Sequence, residues 1–322
     1  MKDFLKHIDP HVHCRDWAES YKATIRSVTD LARSQDVCAI FDMPNTIPPI
    51  ISKNLVEKRI ETAKLEGCLE GYYLWIGITK DPVQIKEAVD VVWANPFVVG
   101  IKMFAGKSVG DLAIIDECTQ MKVYQELTKA GYDGVLAVHC EKESLTRMHL
   151  WNPNDPQSWN RARPPSSEVE SVKDQITFAK KYDFKGVLHI CHVSVPETVQ
   201  VIREESELKI TCGVTPHHLI YSSQDMFGDN GLLYKVNPPL REHSSTQLLK
   251  DLLRQGKIDW IETDTAPHTE NEKLNPPYMS GIQSLKTYSL LLRDLVKEGI
   301  SQDQISRLTY ENIKKVFKKI NQ

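Results

Sequence analysis

Two histidines one residue apart, His11 and His13 in Asp9-Pro10-His11-Val12-His13-Cys14-Arg15, head the residues that could do chemistry in this chain. They follow the apolar run Leu5–Ile8, which reads as a short strand, and side chains two apart on a strand point the same way. Two ligands of one metal ion need that arrangement. Arg15 keeps the same parity further out, where its planar fork suits a carboxylate. Taken alone, the pair also fits two surface histidines on a polar strand end. Further along stand His139, His192 and Asp264, and four imidazoles with one carboxylate make a ligand set of the type zinc favours. Lys102 lies in Val99–Phe104, a run otherwise too apolar for an unpaired ammonium. Desolvation there would lower its pKa, and a neutral amine can take up carbon dioxide as a carbamate able to bridge two metals. A lysine reaching solvent at the strand tip, or pairing with Asp264, is the plainer alternative.

Other candidates carry less. His189 and His192 are three apart and so face opposite sides of a regular strand. His192, nearer the end, takes the mouth, and His189 reads as a buried structural group. Cys14, Cys140 and Cys191 each adjoin a candidate ligand and should point the other way, into the packing. His217-His218 suits a ligand or a structural pair equally. His7, His149 and His243 read as surface residues.

Something must hold these residues together, and the pattern of elements supplies it. Eight short apolar runs, Leu5–Ile8, Val37–Phe41, Tyr72–Ile78, Val98–Phe104, Gly134–Val138, Gly186–Ile190, Lys209–Val214 and Ile258–Glu262, have the length and composition of buried parallel strands. Between them lie helical segments at Ala18–Ser34, Lys53–Glu66, Pro82–Ala94, Glu117–Ala130, Glu168–Tyr182, Pro196–Glu205 and Ser245–Arg254, followed by Ser284–Lys297 and Gln302–Lys318. Ser52 and Asp81-Pro82 are start signals. Eight such units predict an α/β fold, a (β/α)8 TIM barrel with catalytic residues at the C-terminal ends of the strands. His11, His13, Asn45, Lys102, His139, His192, His217, His218 and Asp264 all fall at or near those ends. The long irregular stretches Ala105–Asp116, Asn152–Ser167 and Asn271–Ile282 fall on the same face, placed to cover a pocket or make an oligomer contact.

Composition narrows the class. The 322 residues are 41% hydrophobic and 26% charged with a net charge of −3, which favours neither nucleic acid nor an anionic membrane as partner. No apolar run reaches the roughly 18 residues of a membrane span, and the N-terminus lacks a signal-peptide core, so a cytoplasmic location is expected. Seven cysteines, mostly within apolar runs, fit reduced buried thiols.

The stretches Asp9–Asp16, Asp42–Pro49, Gly100–Phe104, Ala137–Glu141, Leu188–Ser194, Thr215–Leu219, Lys235–Arg241 and Thr263–Thr269 carry a resemblance. In that order they resemble the amidohydrolase superfamily and, within it, the dihydroorotases. The resemblance implies two zinc ions bridged by carbamylated Lys102 and a hydroxide. His11, His13 and Asp264 match the ligands of the more buried metal, and His139 and His192 those of the second. Arg15, Asn45 and Asn237 match residues that hold the substrate carboxylate, and His268 matches another substrate contact. The implied activity is reversible hydrolysis of L-dihydroorotate to N-carbamoyl-L-aspartate in pyrimidine biosynthesis, with Asp264 carrying the proton and the chain working as a homodimer. A hydantoinase or allantoinase would use the same metals, but its rings lack the carboxylate that Arg15, Asn45 and Asn237 suit. An inactive partner subunit would be expected to have lost ligands, and none is missing. The chain departs from the family at Thr265, where many relatives carry His, and in Ala105–Asp116, which lacks the threonine-containing loop. Ligands begin within the first dozen residues, which predicts a single near-bare barrel domain over 1–322 without an accessory β-domain.

Overall fold

A computed structural model describes residues 6–108, 112–228 and 230–321. Eight parallel strands run in the order β1 (His7–Val12), β2 (Val37–Asp42), β3 (Tyr72–Gly77), β4 (Val98–Ala105), β5 (Val135–Cys140), β6 (Val187–Ile190), β7 (Lys209–Val214) and β8 (Trp260–Ile261), each paired with the next. The seam between β8 and β1 is closed by a bridge from Val12 to Thr265, where His13 N donates to Thr265 O at 2.9 Å. Thr265 Oγ1 also accepts from Leu285 N, so the residue that departs from the family helps close the barrel. Helices alternate with the strands, and their apolar faces pack on the outside of the sheet. This is the expected (β/α)8 barrel.

The interior is filled separately. Ile8, Ala39, Phe41, Trp75, Val135, Ala137 and Trp260 point inward from successive strands. Phe317 closes the N-terminal end from below, its ring 5.0 Å from Phe41 and 5.5 Å from Trp75. All of the interior's polar chemistry is thereby left to the opposite end.

One irregularity decides what that end contains. Along β1, Ile8 pairs with Ala39 and Asp9 with Ile40, but Val12 then pairs with Asp42, so three steps on β1 match two on β2. Ile8 packs inside the barrel and Val12 outside it. Regular alternation would have put both on one face. A bulge at Pro10–His11 flips the parity and turns the odd-numbered His11 and His13 inward, the re-aiming that bulges bring about beside active sites.

Most boundaries match the sequence expectations to within a residue or two, with three corrections. The first strand begins at His7 and runs on through His11, so the histidine pair straddles the strand end. His7 is therefore buried rather than a surface residue, with Nδ1 2.8 Å from Thr309 Oγ1. The first helix spans only Ile25–Ser34, because Thr24 and Ser27 form a reciprocal capping box and Asp16 accepts from Ile25 N. The last helical segment is broken into Gln302–Ser306, a π-turn at Arg307–Glu311 and Asn312–Val316, which releases Phe317 to plug the barrel.

Within the irregular stretches, Ser158–Ala162 forms a short helix, and Glu270–Leu274 forms another that runs into the third. Of Ala105–Asp116, residues 109–111 lie outside the described residues. No described helix is long and apolar enough to cross a membrane.

Candidate metal centre and substrate recess

β1 brings His11 and His13 to the mouth, and the turn after β8 brings Asp264, whose φ of 46° is left-handed. His13 Nε2 lies 2.9 Å and His11 Nε2 3.3 Å from the same oxygen of Asp264. Across the mouth, His139 at the end of β5 and His192 beyond β6 stand with Nδ1 and Nε2 3.1 Å apart. The rings of His11 and His192, 5.2 Å apart, join the two groups. Adjacent ligand atoms on a tetrahedral zinc stand about 3.3 Å apart for bonds of about 2.0–2.1 Å. All three separations are close to that spacing. Neutral imidazole nitrogens and a carboxylate oxygen converging at this distance fit divalent metal ions of the zinc type. Electrostatics divide the ligands: burial and the Lys102 ammonium work against charge on His11, but Asp264, Cys191 and Glu262 outweigh them and raise it to about 10, so a metal ion would displace its proton. Burial and the neighbouring His139 hold His192 neutral, well below its usual range. Burial works against ionised Asp264, yet His11 and His13 keep it far below the ordinary carboxylate range.

Lys102, fully buried on β4, enters between the groups and donates to Cys191 Sγ at 3.0 Å. Cys191 is a correction: it faces the interior, whereas Cys14 and Cys140 pack outside as expected. β6 ends at Ile190 and His192 turns left-handed at φ 39°, so the alternation that would have sent Cys191 outward does not apply. Burial raises the Cys191 thiol, but Lys102, His11 and His189 outweigh it and bring it down to about 5. His189, still on the regular part of β6, lies inside the barrel a layer deeper, its ring 4.5 Å from that of Trp260, as a structural group.

Carboxylates that the sequence reading passed over hold the ligands. Glu141 takes His139 Nε2 at 2.9 Å and is itself gripped by Arg163, which holds it well below its usual range against the effect of burial. Glu262 accepts from His192 N at 2.6 Å and bonds His189 Nε2 at 2.9 Å. Such partners fix the tautomer and orientation of ligating histidines. The only available signal was position, since Glu141 lies two residues after His139 and Glu262 two before Asp264. Asn45 joins this layer: its Oδ1 stands 2.8 Å from His13 Nδ1.

Beside the cluster a narrow recess, with an enclosed volume of about 20 Å³, is lined by His13, Arg15, Asn45, Asn237, Asp264 and the Ser280–Gly281 edge, among others. Arg15 is 1% exposed, in the first of three consecutive left-handed positions, Arg15–Trp17. Asp42 braces that turn by accepting from Cys14 N at 2.9 Å. Arg15 Nε donates to Pro267 O at 3.1 Å and Nη2 meets His268 Nε2 at 2.9 Å, while Nη1 has no partner. The fork is therefore half committed, and His268 orients Arg15 rather than lining the recess. Asn237 Oδ1 is buried without a partner. An unpartnered cationic donor and an unpartnered acceptor on two residues that line the same small recess suit a ligand that carries both a carboxylate and an N–H.

The remaining histidines are structural or exposed. His218 is held by Thr215 Oγ1 and Pro238 O, and His217 Nδ1 by Ser284 Oγ.

No family model matches the chain. Among curated proteins it is 30% identical over 321 residues to the dihydroorotase of Methanosphaera stadtmanae, covering 96% of this chain and 70% of that one. It is 31% identical over 293 residues to the dihydroorotase of Pyrococcus horikoshii, covering 91% of this chain and 61% of the relative. The chain thus spans from about three fifths to seven tenths of the length of these two relatives. Among solved structures, an L-hydantoinase (dihydropyrimidinase) from Arthrobacter aurescens superimposes with a TM-score of 0.85 at 21% identity, over 98% of this chain and 71% of that one. A dihydroorotase from Campylobacter jejuni gives 0.70 at 18% identity, over 97% and 83%. At those identities the structural likeness is one of fold.

Proposed function

The chain belongs to the dihydroorotase family of metal-dependent cyclic amidohydrolases, and from that premise we propose that it interconverts L-dihydroorotate and N-carbamoyl-L-aspartate. The observation that most supports this substrate is the recess, where unpartnered Arg15 Nη1 and Asn237 Oδ1 lie next to the His–Asp cluster. The ring of dihydroorotate carries a carboxylate for the first and an amide N–H for the second.

In this reading His11, His13, Asp264, His139 and His192 would hold two zinc ions, with Lys102, as a carbamate, as a further ligand. The metals would supply Lewis acidity and a water acidified to near neutral pH. Asp264, kept ionised by His11 and His13, takes the proton of the attacking water and returns it to the leaving ring nitrogen. Arg15, Asn45 and Asn237 hold the carboxylate and orient the ring, with His268 locking the guanidinium. Ring closure needs a neutral carboxylic acid as electrophile, so synthesis is favoured at lower pH and hydrolysis at higher pH. The proposal extends to one amidohydrolase barrel over 1–322 acting in the cytoplasm as a homodimer in pyrimidine biosynthesis.

One alternative, hydrolysis of an uncharged ring such as hydantoin or allantoin, would use the same metals. The two readings separate in one experiment: turnover of L-dihydroorotate, hydantoin and allantoin by purified protein, with metal content measured on the same sample. Selective turnover of dihydroorotate with about two metals per chain is expected. Turnover of the uncharged rings alone would keep the metal chemistry and overturn the roles of Arg15, Asn45 and Asn237.

A further inference from the structure

Two buried lysines take no part in the chemistry above. Lys235 and Lys273 are only 5% and 7% exposed. Lys235 Nζ sits 3.9 Å from the ring centre of Trp159 and 5.3 Å from that of Trp151, and donates to Tyr278 O at 2.6 Å and Ser280 Oγ at 2.8 Å. Lys273 Nζ donates to Gly281 O and reaches Lys235 O at 3.3 Å, while Gly281 N donates to Lys235 O at 2.9 Å. Together these bonds tie residues 278–281 to Lys235. Ser280 and Gly281 are the part of that segment that lines the recess with Arg15 and Asn237. The wall has no slack, because a Cβ on Gly281 (φ 153°) would stand 2.4 Å from Ala266 O.

Charge is the second observation. Burial pushes both lysines down to about 7, and the charged groups acting on Lys235 are Lys273 and Arg163, both cationic. Burying cations without a countercharge is costly. Arg15, whose Nη1 has no hydrogen-bond partner, adds a third buried cation at the same recess. An anion seated between Arg15 and the 278–281 wall supplies the missing charge.

We propose that Lys235 and Lys273 are specificity-determining positioning residues, which brace the 278–281 wall so that the recess accepts rings bearing a carboxylate. The proposal rests on the carboxylate-bearing substrate argued above. Neither lysine touches the reacting atoms; each acts through the main chain and Ser280.

The test compares the zinc-loaded wild type with Lys235→Met, Lys235→Arg, Lys273→Met and Ser280→Ala. Methionine keeps the stem against Trp159 and removes two hydrogen bonds from a cationic donor, so KM for dihydroorotate should rise about tenfold with kcat changed much less. Lys235→Arg should recover most of that loss, and Ser280→Ala should cost about threefold. Binding of a carboxylate-bearing ring analogue should weaken in parallel by calorimetry, while binding of the uncharged analogue should not. Equal losses for charged and uncharged analogues, or a fall in kcat at constant KM, would overturn the specificity role. If Lys235→Met does not fold, Ser280→Ala and Lys273→Met decide the matter by the same KM split. A wild type inactive on dihydroorotate defeats the proposed function, whereas an active wild type with unchanged variants defeats this inference alone.

Discussion

At the N-terminal end of the strands the barrel is filled by the rings of Phe41, Trp75, Trp260 and the inserted Phe317, packed on one another. At the C-terminal end the same strands deliver histidines, carboxylates, a buried lysine and a buried arginine, and the backbone leaves regular geometry to do so. The bulge at Pro10–His11 and the left-handed residues Arg15–Trp17, His192 and Asp264 all lie at this end. Side chains that leave left-handed or bulged backbone cost free energy, and such strain persists only where the surroundings over-determine it. Here Asp42 holds Cys14 N ahead of Arg15, Glu262 holds His192 N, and Thr263 Oγ1 accepts from Thr265 N just after Asp264. Stability and function are thus separated along the barrel axis, and substitutions at the two ends should be separable too.

The largest expected effect is at the mouth. Asp264→Asn removes the proton carrier while keeping an oxygen toward His11 and His13, so kcat should fall about 10³-fold with the barrel still folded. Near-normal turnover would remove Asp264 from the proton path. At the other end, Phe317→Ala opens a cavity among three aromatic rings and should cost about 3–4 kcal/mol of stability in chemical denaturation. Its kcat at a temperature where it stays folded should match the wild type. A coupled loss of turnover would break the separation between the ends.

The floor also predicts a pH dependence. His7 is buried beside Thr309 and Tyr288, and burial lowers its pKa to about 4 despite the opposing pull of Asp36. A histidine depressed in the folded state is neutral there and protonates first in the unfolded chain. Its stabilising contribution is full above pH 6.5 and is lost as pH falls toward 4, by up to about 3 kcal/mol. Urea midpoints between pH 4 and 7.5 should show this slope, flattened in His7→Asn. An equal slope in that variant would assign the dependence to other groups.

How much was legible in the sequence follows the same division. The strands were readable because each is a contiguous β-branched and aromatic run, and Pro82–Ala94 was placed to the residue because Asp81-Pro82 marks its start. The ligand set was readable because its members fall at strand ends. Side-chain direction was less so. Parity arguments hold on regular strands, and the one drawn from His192 back to Cys191 and His189 failed because β6 stops at Ile190 and His192 turns left-handed, although His189 is the buried structural group expected. For His11 and His13 the shared direction was correct, but facing inward depends on a bulge that no residue type signals. Glu141 and Glu262 were missed because a carboxylate's role here depends on which histidine nitrogen it meets, a three-dimensional fact. The buried position of His7 depends on a contact 302 residues away in sequence.

The smallest predicted effect tests the border between the metal floor and the recess. Arg15 was expected to offer a full bidentate fork, but two of its nitrogens are spent on Pro267 O and His268, leaving Nη1 without a partner. A lysine has one nitrogen to serve all three directions and cannot hold His268 and a carboxylate in fixed geometry. Arg15→Lys should therefore raise KM for dihydroorotate by about tenfold, equivalent to about 1.4 kcal/mol, with kcat reduced less and metal content unchanged. His268→Ala leaves the guanidinium intact but unlocked, so it should raise KM by a smaller factor in the same direction. If Arg15→Lys instead lowers metal content, Arg15 belongs with the braces of the His11–His13 turn and the carboxylate must be held by Asn45 and Asn237 alone. If KM moves and metal does not, the recess and the metal centre are separable neighbours, as the ends of the barrel are.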